Sequence, residues 1–116
     1  MQNYKVIFHI DEMNKWKLLL ANVNNMIIDL KDQPVKIEVL ANSEAVKFFI
    51  QNDISENDYS NIRNLMNNNV LFCLCNNSLQ SNKIELNTLI PNINIVSSGV
   101  SELMLKQHEG YAYIKP

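Results

Sequence analysis

Apolar residues run almost unbroken from Tyr4 to Ile10 (YKVIFHI), in a stretch rich in β-branched and aromatic side chains. Such a run predicts a strand covered on both faces. Asp11, Glu12 and Asn14 then offer N-cap and first-turn chemistry, and the period of the pattern changes. From Trp16, the apolar positions Leu19, Leu20, Val23, Met26, Ile27 and Leu30 recur at spacings of three and four. This predicts an amphipathic helix of about four turns, with Pro34 unable to continue it. Val35 to Leu40 alternates and reads as a second strand. Asn42 and Ser43 start a short helix through Ile50, with Ala45, Val46, Phe49 and Ile50 as its buried side. Ser55 with Asp58 three residues on resembles a capping box, opening a helix that carries Tyr59, Ile62, Leu65 and Met66 to an asparagine run.

Val70 to Cys75 (VLFCLC) is the most apolar stretch of the chain and is expected to be the central strand. One helical turn is expected after Ser78 and another over Ile84 to Leu89. Ile93 to Val96 predicts a short fourth strand. Ser97-Ser98-Gly99 begins a helix through about Glu109, with Val100, Leu103, Met104 and Gln107 inward and Gly110 as its C-terminal cap. Tyr111 to Ile114 closes the pattern as a strand. Strand and helix alternate, which points to an α/β fold with a largely parallel sheet and helices on both faces. No repeat or linker interrupts the pattern, so residues 1–116 are expected to form one domain.

Composition narrows the function classes. The chain is 47% hydrophobic and 19% charged, which is globular. A formal net charge of -2, with Arg63 as the single arginine, argues against nucleic acid as a partner. No apolar run approaches the roughly 18 residues of a membrane span. MQNYKVIFHIDE enters a strand pattern at once and lacks the basic and long apolar regions of a targeting signal. Cys73 and Cys75 are separated by one residue, too close along an extended strand for an unstrained disulfide. A reducing, cytoplasmic setting fits them.

In open α/β sheets, ligands bind beyond the carboxyl ends of the strands, where helix N-termini also point. Those ends hold His9 to Glu12, Ala41 to Ser43, Cys75 to Ser78 and Ser97 to Gly99. The candidate binding residues are His9, Asn42, Asn76, Asn77, Ser78, Ser98 and Gly99, which suit a small polar or anionic ligand. Cys75 is the candidate catalytic residue, because a helix start and free backbone N–H groups lower a thiol's pKa toward neutrality. Cys73, inside the strand, reads as a small hydrophobe. His9 reads either as a partner for Cys75 or as a satisfied histidine within its strand. No metal or cofactor is expected. Structural zinc needs about four ligands, and only His9 and His108 could join the two cysteines, with His108 at the far end of the last helix.

KVIFHIDEMNKWKLLLANVNN, KIEVLANSEAVKFF, FCLCNNSL and VSSGVSELMLKQHEGYAYIKP, in this order, resemble the small single-domain DsrE/DsrF-like proteins, also called YchN-like. The resemblance covers nearly the whole chain. It implies a three-layer α/β/α domain with a five-stranded, mostly parallel sheet, assembled as a trimer or hexamer. It also implies that the cysteine after the third strand, here Cys75, lies in a pocket near a subunit interface. In sulfur-relay members, that cysteine carries a persulfide between donor and acceptor proteins. Two functions therefore stand side by side. One is a persulfide carrier acting through Cys75. The other is a non-enzymatic oligomeric module that binds a small anionic ligand, with Cys75 only lining the pocket.

Overall fold

The computed structural model describes residues 3–116. Met1 and Gln2, the start of the segment read as free of a targeting signal, lie outside them. Five strands form one sheet: β1 (Tyr4–Ile10), β2 (Val35–Ala41), β3 (Val70–Cys75), β4 (Asn94–Val96) and β5 (Ala112–Ile114). Their order across the sheet is β4-β3-β2-β1-β5, and every neighbouring pair is parallel. Four α-helices connect them: α1 (Trp16–Asp29), α2 (Glu56–Asn67), α3 (Asn76–Ser81) and α4 (Gly99–His108). The expected α/β/α architecture is present, with the sheet wholly parallel. No helix among the described residues is long and apolar enough to cross a membrane.

The pleat divides each strand between two unequal faces. Val6, Phe8 and Ile10 of β1, Val39 and Ala41 of β2, and Phe72 and Leu74 of β3 enter the larger core. There they meet Leu19 and Val23 of α1, Ile62 and Leu65 of α2, and Leu79 of α3. Trp16 stacks on Phe48 at a centroid distance of 4.5 Å, and its indole N–H donates to the Ala45 carbonyl at 3.1 Å. On the other face Ile7, Leu40 and Cys73 pack under Leu103 of α4.

Several sequence expectations shift. VLFCLC is an interior strand, but β2 holds the centre and β3 lies next to the short edge strand β4. Its burial is also incomplete, because Leu71 lies on the α4 side and is 42% exposed. In α4 the helix phase differs from the expected one. Gly99 and Leu103 face the sheet, whereas Val100 and Met104 are 68% and 59% exposed. A glycine that lets the helix backbone touch the strands sets this phase, and apolar spacing does not reveal it. The segment Ser43–Phe49 is a 3-10 helix, and the turn expected over Ile84 to Leu89 is 3-10 only across Leu86–Thr88. Asp11 and Asn14 cap nothing. A 3-10 turn, Met13–Lys15, leads into α1, and its N-cap Glu12 makes no side-chain cap bond.

Other signals are met. Ser55 accepts the Asp58 N–H at 3.1 Å, and Ser98 accepts the Ser101 N–H at 3.4 Å, each capping its helix. Gly110 follows α4 at a φ of 97°, a left-handed conformation that glycine adopts without strain.

The face under α4 also buries a carboxylate, Glu38 of β2, whose Oε1 lies 4.0 Å from Lys106 Nζ. Burial first, and then the hydrogen bond and repulsion of Glu102, push its carboxyl up to about 8. Lys106 opposes the shift.

The topology predicts a gradient of local stability. Backbone amides of β1, β2 and β3, each paired on both sides, exchange most slowly with solvent, while the three-residue edge strands β4 and β5 exchange faster. Hydrogen exchange read by NMR checks this. Exchange at Val70–Cys75 as fast as at Ala112–Ile114 contradicts the sheet order.

Candidate functional site

Because all strands run the same way, their carboxyl ends share one edge. β3 ends at Cys75, and α3 begins at once with Asn76, three residues earlier than the sequence pattern suggests. Cys75 is therefore the N-cap residue of α3, with φ -73° and ψ 119°. This places the amides of Asn77 and Ser78 in the first turn of a helix, where N–H groups lack intrahelical partners. Chain reversal without a loop between strand and helix brings these donors to the thiol.

A second helix start arrives from the other side of the edge. Gly99 is the first residue of α4 and lies against the ends of β2 and β3. A Cβ at this position would stand 3.2 Å from the Cys75 Cβ, 3.2 Å from Leu40 Cδ1 and 3.3 Å from the Asn42 Cβ. Any added Cβ would have to push these neighbours back by a few tenths of an ångström, so glycine is the residue that lets the Gly99 N–H approach the sulfur without displacing them.

Burial raises the Cys75 thiol, since the residue is only 5% exposed. The Ser78 hydroxyl and the amides of Ser78, Gly99 and Asn77 outweigh that cost and bring the thiol below its usual range. The sulfur closes no cap hydrogen bond of regular geometry, so the donors act mainly as dipoles directed at it. Their attraction for the sulfur strengthens as it ionises. Cys73, two residues earlier on the same face, behaves in the opposite way. Burial, and then the charges of Glu38 and Glu102, hold its thiol far above the usual range. The two cysteines are thus separated chemically, although one residue separates them in sequence.

Ser78 has a further bond. Its Oγ accepts the Ser43 N–H at 2.7 Å. The Asn82 side-chain amide donates to the carbonyls of Ser43 and Ser78, at 3.2 Å and 2.7 Å. Ser43 and Asn82 complete the edge, and nothing in their local sequence marks them as partners of Ser78.

His9 does not pair with Cys75. Its Nε2 lies 2.9 Å from Asn42 Oδ1 and its Nδ1 lies 2.7 Å from the Tyr113 hydroxyl. In the tautomer with hydrogen on Nε2, the ring donates to Asn42 and accepts from Tyr113, so both nitrogens are satisfied. The reading of His9 as a satisfied strand histidine is the one realised. It positions Asn42, whose Cβ packs beside Gly99. Tyr113, on the edge strand β5, reads in sequence only as aromatic surface. No pattern connects it with His9, 104 residues away. Asn76 opens α3, and Ser98 caps α4 behind Gly99.

The close approach of Gly99 generates a test. Gly99→Ala is expected to cost about 1–3 kcal/mol of stability through overpacking. It is also expected to move the pH midpoint of Cys75 alkylation upward by withdrawing one N–H donor. Chemical denaturation and alkylation in a Cys73→Ala background measure the two effects. An unchanged stability with an unchanged midpoint contradicts the arrangement.

Comparisons with known proteins agree with this fold. The chain is similar to a protein of unknown function, MTH1491, from Methanobacterium thermoautotrophicum. The two are 36% identical with a TM-score of 0.87, over 97% of this chain and 99% of the other. It shares its fold with the ychN protein from E. coli, at 16% identity and a TM-score of 0.74 over the whole of both chains. Among curated proteins no sequence match is significant. The DsrE/DsrF-like family model matches residues 5–116, and the chain belongs to that family.

Proposed function

We propose that this protein is a persulfide carrier in which Cys75 takes up a sulfane sulfur and hands it to an acceptor thiol. The observation that supports this reading is the donor set at Cys75: one hydroxyl and three backbone N–H groups that favour the thiolate of a residue only 5% exposed. The thiolate attacks the outer sulfur of a donor persulfide, R–S–SH. The S–S bond of the donor breaks, R–S⁻ leaves with the bonding pair, and Cys75 becomes Cys–S–SH. An acceptor thiolate then attacks the outer sulfur of Cys–S–SH and releases the Cys75 thiolate. Neither step is a net oxidation, and no cofactor is required.

The same dipoles assist both steps. Lowering the thiol's pKa raises the share of thiolate available for the attack and makes the sulfur a better leaving group in the return. Cys73 does not compete, because its thiol stays protonated. The low exposure of Cys75 favours a low-molecular-weight persulfide as the first donor, with larger partners requiring an opening of the strand edge. We read the chain as a homo-oligomer, a trimer or hexamer, working in the cytoplasm. The apolar side chains of Val100 and Met104 on α4, and the short edge strands, are consistent with further association.

Mass spectrometry after incubation with a low-molecular-weight persulfide tests the reading. The expected result is a gain of one sulfur atom per chain, absent in Cys75→Ser and present in Cys73→Ala, with a trimer or hexamer in the native spectrum. An equal gain in Cys75→Ser, or no gain in the wild type, contradicts the carrier. The latter result favours a binding module for a small anion at the same amides. A monomer at micromolar concentration contradicts the oligomer.

A further inference from the structure

Beneath α4, away from the amides that hold Cys75, three potential ligands converge. Glu38 comes from β2, Cys73 from β3 and Glu102 from the first turn of α4, and one ligand atom of each lies within 4.8 Å of the others. Glu38 and Cys73 are brought together by register. Cys73 pairs with Leu40 and Leu71 pairs with Glu38, so the two side chains are diagonal neighbours on the same face. Glu38 is 2% exposed, and its Oε2 has no hydrogen-bond partner among the described residues. Glu102 can share a proton with one oxygen of Glu38, but a second buried carboxylate oxygen left without a partner is costly and calls for an occupant. Lys106 stands on the side of Oε1 and leaves Oε2 free.

We propose that Glu38, Cys73 and Glu102 bind a single borderline-soft divalent cation of the Zn²⁺ type, with one coordination position left open. A thiolate among the ligands selects against Mg²⁺ and Ca²⁺, which prefer all-oxygen shells. Tetrahedral zinc with bonds of about 2.0–2.3 Å places neighbouring ligand atoms roughly 3.5 Å apart. The three atoms reach that geometry by closing about 1 Å, within the reach of glutamate rotamers. Binding displaces to solvent the protons that Cys73 and Glu38 hold in the metal-free protein. The three ligands, then ionised, carry three negative charges, offset by two from the cation and one from Lys106. A cavity of about 230 Å³ that reaches the site at Glu38, and is lined also by Leu71, Lys106 and Tyr111, gives a path for a cation from solvent to that carboxylate. The C-x-C spacing hides this site from sequence reading, because the partners of Cys73 are two carboxylates distant in the chain and not the neighbouring thiol or a histidine.

Titration of the full chain with Co²⁺, followed by absorption spectroscopy, tests the proposal. The expected result is a thiolate-to-cobalt charge-transfer band that saturates at one ion per chain and is displaced by Zn²⁺. The band persists in Cys75→Ser and disappears in Cys73→Ser. Glu102→Gln, at a half-buried helix position that leaves the core intact, is expected to weaken Co²⁺ binding at least about tenfold with an unchanged circular dichroism spectrum. Absence of the band in the wild type overturns the proposal. So does a band that survives Cys73→Ser but is lost in Cys75→Ser, or undiminished affinity in Glu102→Gln.

Discussion

A serine hydroxyl has one hydrogen to donate, and the carboxyl edge of this sheet depends on where Ser78 directs it. The Ser78 oxygen accepts the Ser43 N–H at 2.7 Å, so that side of the hydroxyl is occupied and its hydrogen is available to the Cys75 sulfur. Ser43 has a φ of 51°, a left-handed conformation that is unfavourable for a residue with a side chain. The bond to Ser78 helps to hold this turn at the end of β2. Asn82 fixes the same two residues through their carbonyls. The ends of β2 and β3 are thereby tied by the same group that stabilises the thiolate. Without it, burial of Cys75 would weigh more heavily, and burial favours the neutral thiol.

The parallel sheet makes this convergence possible. Each strand delivers its carboxyl end to the same edge, and each following helix begins there with unpaired N–H groups. Gly99 converts proximity into contact, since its missing side chain is the space in which α4 meets Cys75 and Asn42. The resulting phase of α4 has two further effects. It turns Val100 and Met104 outward, and it brings Glu102 down towards Glu38 and Cys73. One helix therefore contributes to two chemically different cysteine environments.

Much of this was legible in the sequence. Continuous apolar runs mark the buried strands, Ser55 and Ser98 mark helix starts, Gly110 marks a helix end, and Cys75 stands out where a strand gives way to turn residues. The central position of β2 was not legible, because VLFCLC is more apolar than VKIEVLA although it lies nearer the edge. Glu38 explains the difference: the middle strand carries a buried carboxyl whose protonation is set by Glu102, Lys106 and Cys73, none of them close in sequence. The phase of α4 was hidden for a similar reason. Apolar spacing cannot distinguish a helix that packs by large side chains from one that packs through a glycine. The links from His9 to Tyr113 and from Ser43 to Ser78 follow from strand order, which local pattern does not determine.

The central claim is that Ser78 and the two helix starts lower the pKa of the Cys75 thiol despite its burial. The most direct measurement is the pH titration of the Cys75 ¹³Cβ chemical shift, which reports ionisation without requiring a reagent to reach the sulfur. The account predicts a midpoint below the roughly 8.5 of a free cysteine, with an upward displacement in Ser78→Ala. A midpoint at or above the free value in the wild type, or no displacement in Ser78→Ala, would contradict it.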